Sequence, residues 1–211
     1  PRDLEGDARK LEKEGTDILF FPDMREIYPE GYSTYVEVMG LSDKLCGAFR
    51  PGHFRGVATV VTKLFNIVMP DRAYFGLKDY QQTVIIKRLV QDLNMDLEIV
   101  TCPTVREPDG LAMSSRNLYL NSEERRAATV IYRTLLLAED LIKKGHRDCA
   151  FIRESMLKTL RSEPLVSSID YAGLYDPDTL EELMEIKERV LLAIALRIGS
   201  TRLIDNLMVE Y

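Results

Sequence analysis

The stretch that decides the fold is YFGLKDYQQTVIIKRL, from Tyr74 to Leu89. The residues up to Gly76 form a short run typical of a strand, and from Asp79 onward apolar residues recur at helical spacing, with Ile85 and Leu89 on one stripe. A strand, a turn with a glycine and a helix in this order predict one unit of a parallel α/β sheet.

Lys78 stands where this helix begins. A lysine at a helix N-terminus is unfavourable by about 0.3–1 kcal/mol, because that end of the helix is already positive. The penalty reverses when an anion binds to the exposed backbone N–H groups, and Gly76 would let a ligand approach the backbone closely. The turn therefore predicts a phosphate site, in which Asp79 either caps the helix or faces a metal-bound phosphate through water. The alternative is a solvated Lys78 beside an Asp79 that only caps the helix.

Gln82 is the polar exception on the stripe of Ile85 and Leu89. It lies one turn into the helix, close to the predicted phosphate site. This position predicts a hydrogen bond from Gln82 to a substrate.

Four further segments extend the α/β pattern through the first half of the chain. A surface helix is expected over 3–14, and strands are expected at Asp17–Phe21, Ser33–Met39 and Leu97–Pro103. A further helix is predicted before Pro70, with one apolar face made of Phe54, Val57, Val61, Leu64 and Val68.

The second half predicts an antiparallel α+β unit. Asn121 and Glu124 have the spacing of a capping box, and the helix that they begin carries an apolar stripe of Ala127, Ile131, Leu135, Ala138 and Ile142. A second helix, with Ile152, Met156 and Leu160, precedes three apolar strands, IDYAGLYD, RVLLAIALRIG and TRLIDNLMV. The polar segment 103–117 predicts a domain boundary, which gives domains over 1–104 and 105–211.

A second polar cluster is VREPDGLAMSSRN, Val105 to Asn117. The hydroxyl groups of Ser114 and Ser115 and the guanidinium of Arg116 can surround an anion, and such a loop can close over a nucleotide. The alternative is a serine-rich turn that caps the next helix.

A third cluster, CGAFRPGHFRG, places Arg50, His53 and Arg55 around a proline–glycine turn. Arg50 is the better candidate for pairing with a carboxylate or phosphate. His53 could contribute, or it could be a structural histidine.

Composition argues against several classes of function. The chain has 211 residues and a net charge of -6, which disfavours nucleic acid and anionic membranes as partners. No apolar run reaches the length of a membrane span, and no signal peptide is recognisable. Three dispersed cysteines and two histidines fit neither a zinc site nor a disulfide framework, so a reducing cytoplasm is expected.

Two long blocks together carry a family resemblance. They are CGAFRPGHFRGVATVVTKLFNIVMPDRAYFGLKDYQQ and PTVREPDGLAMSSRNLYL, with TRLIDNL following near the C-terminus. In these blocks the chain resembles pantothenate synthetases (pantoate–β-alanine ligases). The resemblance implies an α/β fold with a Rossmann-like nucleotidyltransferase domain, incomplete at its N-terminus, a smaller α+β C-terminal domain and a homodimer. It also implies condensation of pantoate with β-alanine, using ATP and Mg²⁺, through a pantoyl adenylate.

The resemblance also assigns roles to residues. It implies ATP contacts from the GLKD turn, from the backbone of Val105 and from a KMSKS-like loop, and it makes Lys78 and the loop's serines and arginine catalytic. Gln82 and Arg50 would lie on the pantoate side. The implied ATP-binding residues are Gly76, Leu77, Lys78, Asp79, Val105, Met113, Ser114, Ser115 and Arg116. These roles require Lys78 and Arg116 to face one bound polyphosphate.

One motif of the family is missing from this sequence. Pantothenate synthetases carry an early HxGH turn that supplies the proton-donor histidine, and His53 stands in a different context, so that role is not transferred to it. We therefore expect the chain to be the larger part of a longer ligase, and by itself to be a catalytically incompetent fragment. A third possibility is an adenylyltransferase of the same superfamily that acts on a phosphorylated acceptor.

Overall fold

The computed structural model describes residues 3–186 and 188–210. The chain forms two compact units, and the boundary between them falls between Thr34 and Tyr35. The division at 104/105 stays a prediction about functional domains.

The first unit contains two helices. Helix α1 (Leu4–Lys13) confirms the helix predicted over 3–14, and the Asp3 carboxylate caps it by accepting from Gly6 N at 2.9 Å. Helix α2 (Met24–Ile27) begins with a capping box between Asp23 and Glu26.

The second unit opens with an α/β segment. It comprises α3 (Cys46–Phe49), α4 (His53–Val68), β1 (Arg72–Gly76), α5 (Tyr80–Asp92) and β2 (Glu98–Cys102). Strands β1 and β2 pair in parallel, from Arg72 opposite Glu98 to Gly76 opposite Cys102. The predicted parallel α/β architecture is confirmed.

Two predicted strands are wrong. Residues 17–21 and 33–39 form no strand in the described structure, because neither segment has a neighbouring strand to bond to. Ile18 is 83% exposed, and Val36 N donates instead to Thr59 Oγ1 on α4 at 3.0 Å. The apolar run at 17–21 and the alternating pattern at 33–39 therefore satisfy the sequence signal for a strand without a partner strand in the described structure.

The predicted face of α4 is also partly wrong. Phe54 is buried, but Val68 is exposed and the other predicted members are only half-buried. The inward face instead carries Ala58 and Phe65. Helix α4 therefore packs through Phe54, Ala58 and Phe65, a face rotated from the predicted stripe.

The C-terminal part matches its prediction more closely. It contains α6 (Ser122–Ala127), α7 (Val130–Lys143), α8 (Cys149–Arg161), β3 (Val166–Tyr175), β4 (Arg189–Ile198) and β5 (Thr201–Glu210). The Asn121–Glu124 capping box is present, although the single long helix predicted there is divided between α6 and α7. The three strands form an antiparallel sheet in the order β3-β4-β5.

Strand β4 is apolar from Val190 to Leu196, and every residue of that run is buried because both faces of this sheet are covered. Alternate residues, such as Leu192 and Ile194, join the core made with α7 and α8. The residues between them, Leu191 and Ala193, join a second core with Phe54 of α4 and helix α5. The antiparallel sheet is thus packed between the two helical layers of this unit.

Candidate active site

One cavity of about 210 Å³ in the second unit collects most of the polar residues predicted from the sequence. Its lining comes from both halves of the chain, around the start of α5, the loop before α6 and strand β5. The predicted residues that line it are Arg50, His53, Lys78, Asp79, Gln82, Ser114, Ser115 and Arg116. Lys78 and Arg116 therefore face the same space, as the predicted polyphosphate site requires.

Lys78 lies in a single turn of 3-10 helix, Leu77–Asp79, between β1 and α5. The Asp79 side chain does not cap α5, which removes the simple capping alternative. The side-chain amide of Asn206 on β5 donates to the carbonyl oxygens of Leu77 and Lys78, each at 2.9 Å. The turn that carries Lys78 is thus attached to the antiparallel sheet.

The two adjacent glutamines at the start of α5 have different environments. Gln82 is half-buried and lines the cavity, where its amide is available to a ligand. Gln81 is buried; its Oε1 accepts from Cys46 N at 3.0 Å, and its Nε2 donates to the carbonyls of Leu41 and Lys44. Gln81 therefore fixes the segment 41–46, a role that sequence analysis did not detect.

The loop with Ser114, Ser115 and Arg116 folds as a short hairpin followed by one 3-10 helix, Ser115–Tyr119. Met113 N donates to the Val105 carbonyl at 2.9 Å, and the Asn117 side chain donates to the Ala112 carbonyl at 3.1 Å. Ser114 Oγ accepts from Arg116 N at 3.2 Å, which begins the 3-10 helix. The serine-rich turn therefore does cap a helix, and it faces the cavity at the same time.

The start of this loop is attached to β5 by an ion pair. Arg106 Nη1 and Nη2 donate to the two carboxylate oxygens of Asp205 at 2.6 and 3.0 Å. Arg106 also donates to the Gly110 carbonyl and lies over the ring of Tyr132, 4.1 Å from its centroid. The loop is therefore held at its base by one buried, bidentate interaction.

Several cationic side chains of the cavity lining lie close enough together to affect one another. Arg50 Nη1 donates to His53 Nε2 at 2.9 Å, and Arg116 Nη1 donates to the Arg202 carbonyl at 3.4 Å. Burial, together with the charges of Arg116 and Arg202, lowers the pKa of Arg50. Burial and the charge of Arg50 likewise lower the pKa of His53. Crowded cations of this kind favour an anionic ligand.

Four interacting residues beside this cluster, Arg202, Asp170, Cys46 and Tyr171, were not singled out from the sequence. Arg202 is buried, donates to Asp170 Oδ2 at 2.7 Å and places both terminal nitrogens 3.7 Å from Cys46 Sγ. Tyr171 Oη lies 3.0 Å from the same sulfur, and burial followed by the charge of Cys46 raises the pKa of Tyr171. Arg202, a charged residue directly before the apolar Leu203 and Ile204 of strand β5, was the signal that could have revealed this group.

Four predicted ATP-binding residues lie outside the described lining of the cavity. They are Gly76, Leu77, Val105 and Met113. Val105 is 66% exposed and Met113 is 51% exposed, so both remain accessible to a ligand larger than the cavity. Their ATP-binding roles stay predictions.

The described residues contain no cluster of three or more histidine, cysteine, aspartate or glutamate side chains suited to a metal ion. None of the helices described combines the length and apolar character needed to cross a membrane.

Comparison with known proteins identifies the family. The sequence profile of the pantoate-beta-alanine ligase family matches residues 1–208. The chain belongs to the pantoate–β-alanine ligase family. A ligase-family relative from Thermodesulfovibrio yellowstonii, named pantothenate synthetase, is 63% identical over 100% of this chain and 75% of its own length. Another pantothenate synthetase, from Acetivibrio thermocellus, is 56% identical over 100% of this chain and 74% of its own.

Solved ligase-family structures share the fold. The pantothenate synthetase of Thermus thermophilus has a TM-score of 0.94 and 46% identity, over 98% of this chain and 75% of that protein. The pantoate-beta-alanine ligase of Francisella tularensis, complexed with beta-gamma ATP and beta-alanine, has a TM-score of 0.76 and 34% identity, over 99% of this chain and 70% of that protein. The chain thus spans about three quarters of the relatives' length.

Proposed function

We propose that this chain carries the main part of an ATP-dependent ligase that joins pantoate to β-alanine. The observation that supports this most directly is the convergence of Lys78, Arg116 and Gln82 on one cavity, in a member of the pantoate–β-alanine ligase family. ATP and β-alanine are named as ligands of the relative from Francisella tularensis.

The proposed reaction has two steps. A carboxylate oxygen of pantoate attacks the α-phosphorus of ATP. The bond from the α-phosphorus to the oxygen that bridges it to the β-phosphorus breaks. Pyrophosphate departs, and pantoyl adenylate is formed. The β-alanine amine then attacks the pantoyl carbonyl, the bond to AMP breaks, and the amine loses a proton as pantothenate forms. In the first step negative charge grows on the phosphate oxygens, and fixed cations stabilise that charge.

In this proposal the cationic residues bind the phosphates. Lys78 neutralises charge on the triphosphate, Ser114 and Ser115 donate from their hydroxyl groups, and Arg116 donates from its guanidinium. Gly76, Leu77 and Asp79 of the turn, with Val105 and Met113 of the loop, complete the nucleotide contacts. Because these groups stand in place before the reaction, positioning lowers the barrier as well.

Gln82 and Arg50 take the pantoate side of the cavity. The amide of Gln82 can bond a hydroxyl or carboxylate of pantoate, and Arg50 can pair with its carboxylate. Burial and then the charges of Arg116 and Arg202 lower the pKa of Arg50, so a bound anion would stabilise its charged form.

The residues present fit Mg²⁺ as a companion of the nucleotide. Mg²⁺ commonly binds through one or two carboxylates together with substrate phosphates and water, and Asp79 offers a carboxylate at the cavity beside Lys78. When bound, Mg²⁺ would neutralise charge on the phosphate oxygens.

The homodimer and the cytoplasmic location implied by the resemblance belong to this proposal as well.

Pyrophosphate release tests the proposal. The full gene product that contains this chain is mixed with ATP, Mg²⁺ and pantoate, and pyrophosphate is measured before β-alanine is added. We expect release that depends on pantoate, followed by AMP and pantothenate once β-alanine is present. The 211-residue chain alone is expected to bind nucleotide weakly and to release no pyrophosphate.

The alternatives give different results in the same assay. Release that depends on a phosphopantetheine-type acceptor instead of pantoate would identify an adenylyltransferase. Absence of release from the full gene product with either acceptor would overturn the catalytic proposal.

A further inference from the structure

Asn206 supports the turn that carries Lys78. Its side chain is half-buried on β5, and its Nδ2 donates to the carbonyls of Leu77 and Lys78, both at 2.9 Å. Both N–H groups of this amide thus donate to the same turn, in which Lys78 lies 128 residues before Asn206 in the sequence.

The turn itself has little internal support. It is a three-residue 3-10 helix, a conformation with poorer hydrogen-bond geometry than an α-helix. Gly76 before it provides no side-chain cap, and the Asp79 side chain does not cap the helix after it. The place of Lys78 therefore depends on partners from outside the turn.

The neighbouring residue on β5 anchors the other cationic segment. Asp205 binds Arg106 at the base of the loop that carries Arg116, and Arg106 Nη2 also donates to the Asn206 carbonyl at 3.4 Å. Asp205 Oδ1 in turn accepts from Asn206 N at 2.8 Å. Two consecutive residues of one strand thus hold the segment that carries Lys78 and the segment that carries Arg116.

We propose that Asn206 is a positioning residue, which sets the distance of Lys78 from the loop of Arg116 and so aligns both cations on one polyphosphate. The inference rests on the proposed function, because it concerns the same phosphate site. A displacement of about 1 Å in such a site can cost on the order of 100-fold in rate.

The test uses pantoate-dependent pyrophosphate release by the full gene product. Asn206→Ala is expected to lower kcat on the order of 100-fold with little change in the KM for pantoate. Asn206→Asp has the same size but lacks the N–H donors, and at least the same loss is expected. Ser167→Ala, which removes a hydroxyl bonded to the carbonyls of Arg197 and Gly199 elsewhere in the same sheet, is the matched control and should keep the wild-type kcat.

A double variant separates positioning from general loss of structure. If Asn206 acts through Lys78, Asn206→Ala should have no further effect on kcat once Lys78 is alanine. Full additivity of the two losses, or a wild-type kcat in Asn206→Ala, would overturn the inference while leaving the proposed function intact. A wild-type protein without pantoate-dependent release would overturn the proposed function and this inference with it.

Discussion

Arg106 and Asp205 form a bidentate ion pair between the loop and the last described strand, with nitrogen–oxygen distances of 2.6 and 3.0 Å. Both side chains are largely removed from water, at 17% and 3% exposure. Loss of one partner would leave the other charge buried and unpaired, which is far more costly than loss of a surface pair.

This pair gives a prediction about stability. Asp205→Asn should lower the free energy of unfolding by about 3–5 kcal/mol, since the Arg106 charge stays buried. The control is Asp109→Asn, because Asp109 makes an equally short bidentate pair with Arg125 at the surface; its loss should cost at most about 1 kcal/mol. Urea denaturation measures both, and equal losses would contradict the assignment of burial as the cause.

Lys78→Ala should reduce adenylate formation by about 100- to 1,000-fold with little effect on folding, because it removes charge stabilisation from a side chain at the cavity. Single-turnover adenylation and thermal unfolding are the measurements. Lys87→Ala, on the exposed side of the following helix, is the matched control. Unchanged adenylation in Lys78→Ala would remove the phosphate-binding role.

The adjacent glutamines should give opposite phenotypes. Gln82→Ala should weaken pantoate binding more than ATP binding, because Gln82 lines the cavity. Gln81→Ala should instead lower stability by about 1–3 kcal/mol, because it leaves Cys46 N and two carbonyls without their partner. Calorimetric titration and denaturation distinguish them, and an unaltered pantoate affinity in Gln82→Ala would make Gln82 an ordinary helix residue.

His53 predicts a pH dependence. Its pKa in the folded protein lies below the ordinary 6.5, first because of burial and then because of Arg50. The unfolded chain therefore takes up this proton at a higher pH than the native protein does. The stability associated with neutral His53 is present above about pH 6.5 and is lost as the pH falls through the native pKa.

The loss of stability on protonation of His53 is measured as the urea denaturation midpoint in buffers from about pH 5 to pH 8. In the His53→Gln variant, the denaturation midpoint should fall less toward the acidic end of this range than it does in the wild type. Added pyrophosphate should raise the pKa of His53 in an NMR titration, since the anion offsets the charges of Arg50, Arg116 and Arg202. A pKa that does not change when pyrophosphate binds would place the anion elsewhere.

Local chemistry explains which parts of the fold were predictable. The Asn121–Glu124 capping box and the stripe from Ile131 to Ile142 depend on residues three or four positions apart, so the sequence displays them directly. A strand depends on a partner elsewhere in the chain. The apolar run at 17–21 therefore satisfied the pattern without forming a strand.

The same distinction applies to the site. Lys78 and Gln82 could be singled out because each breaks a local pattern of charge or polarity, and Arg116 because it follows two serines in a polar loop. The contacts of Gln81 with the segment 41–46, and those of Asn206 with the turn, join residues far apart in sequence. Only the three-dimensional arrangement distinguishes Gln81, which supports the backbone, from Gln82, which faces the cavity.

The support of Lys78 by Asn206 has a consequence for biosynthesis. The ribosome makes the turn long before it makes β5, so a nascent chain presents Lys78 without the amide that holds it in place. The hydrogen bonds that hold this turn in the folded geometry therefore form only after Asn206 has left the exit tunnel.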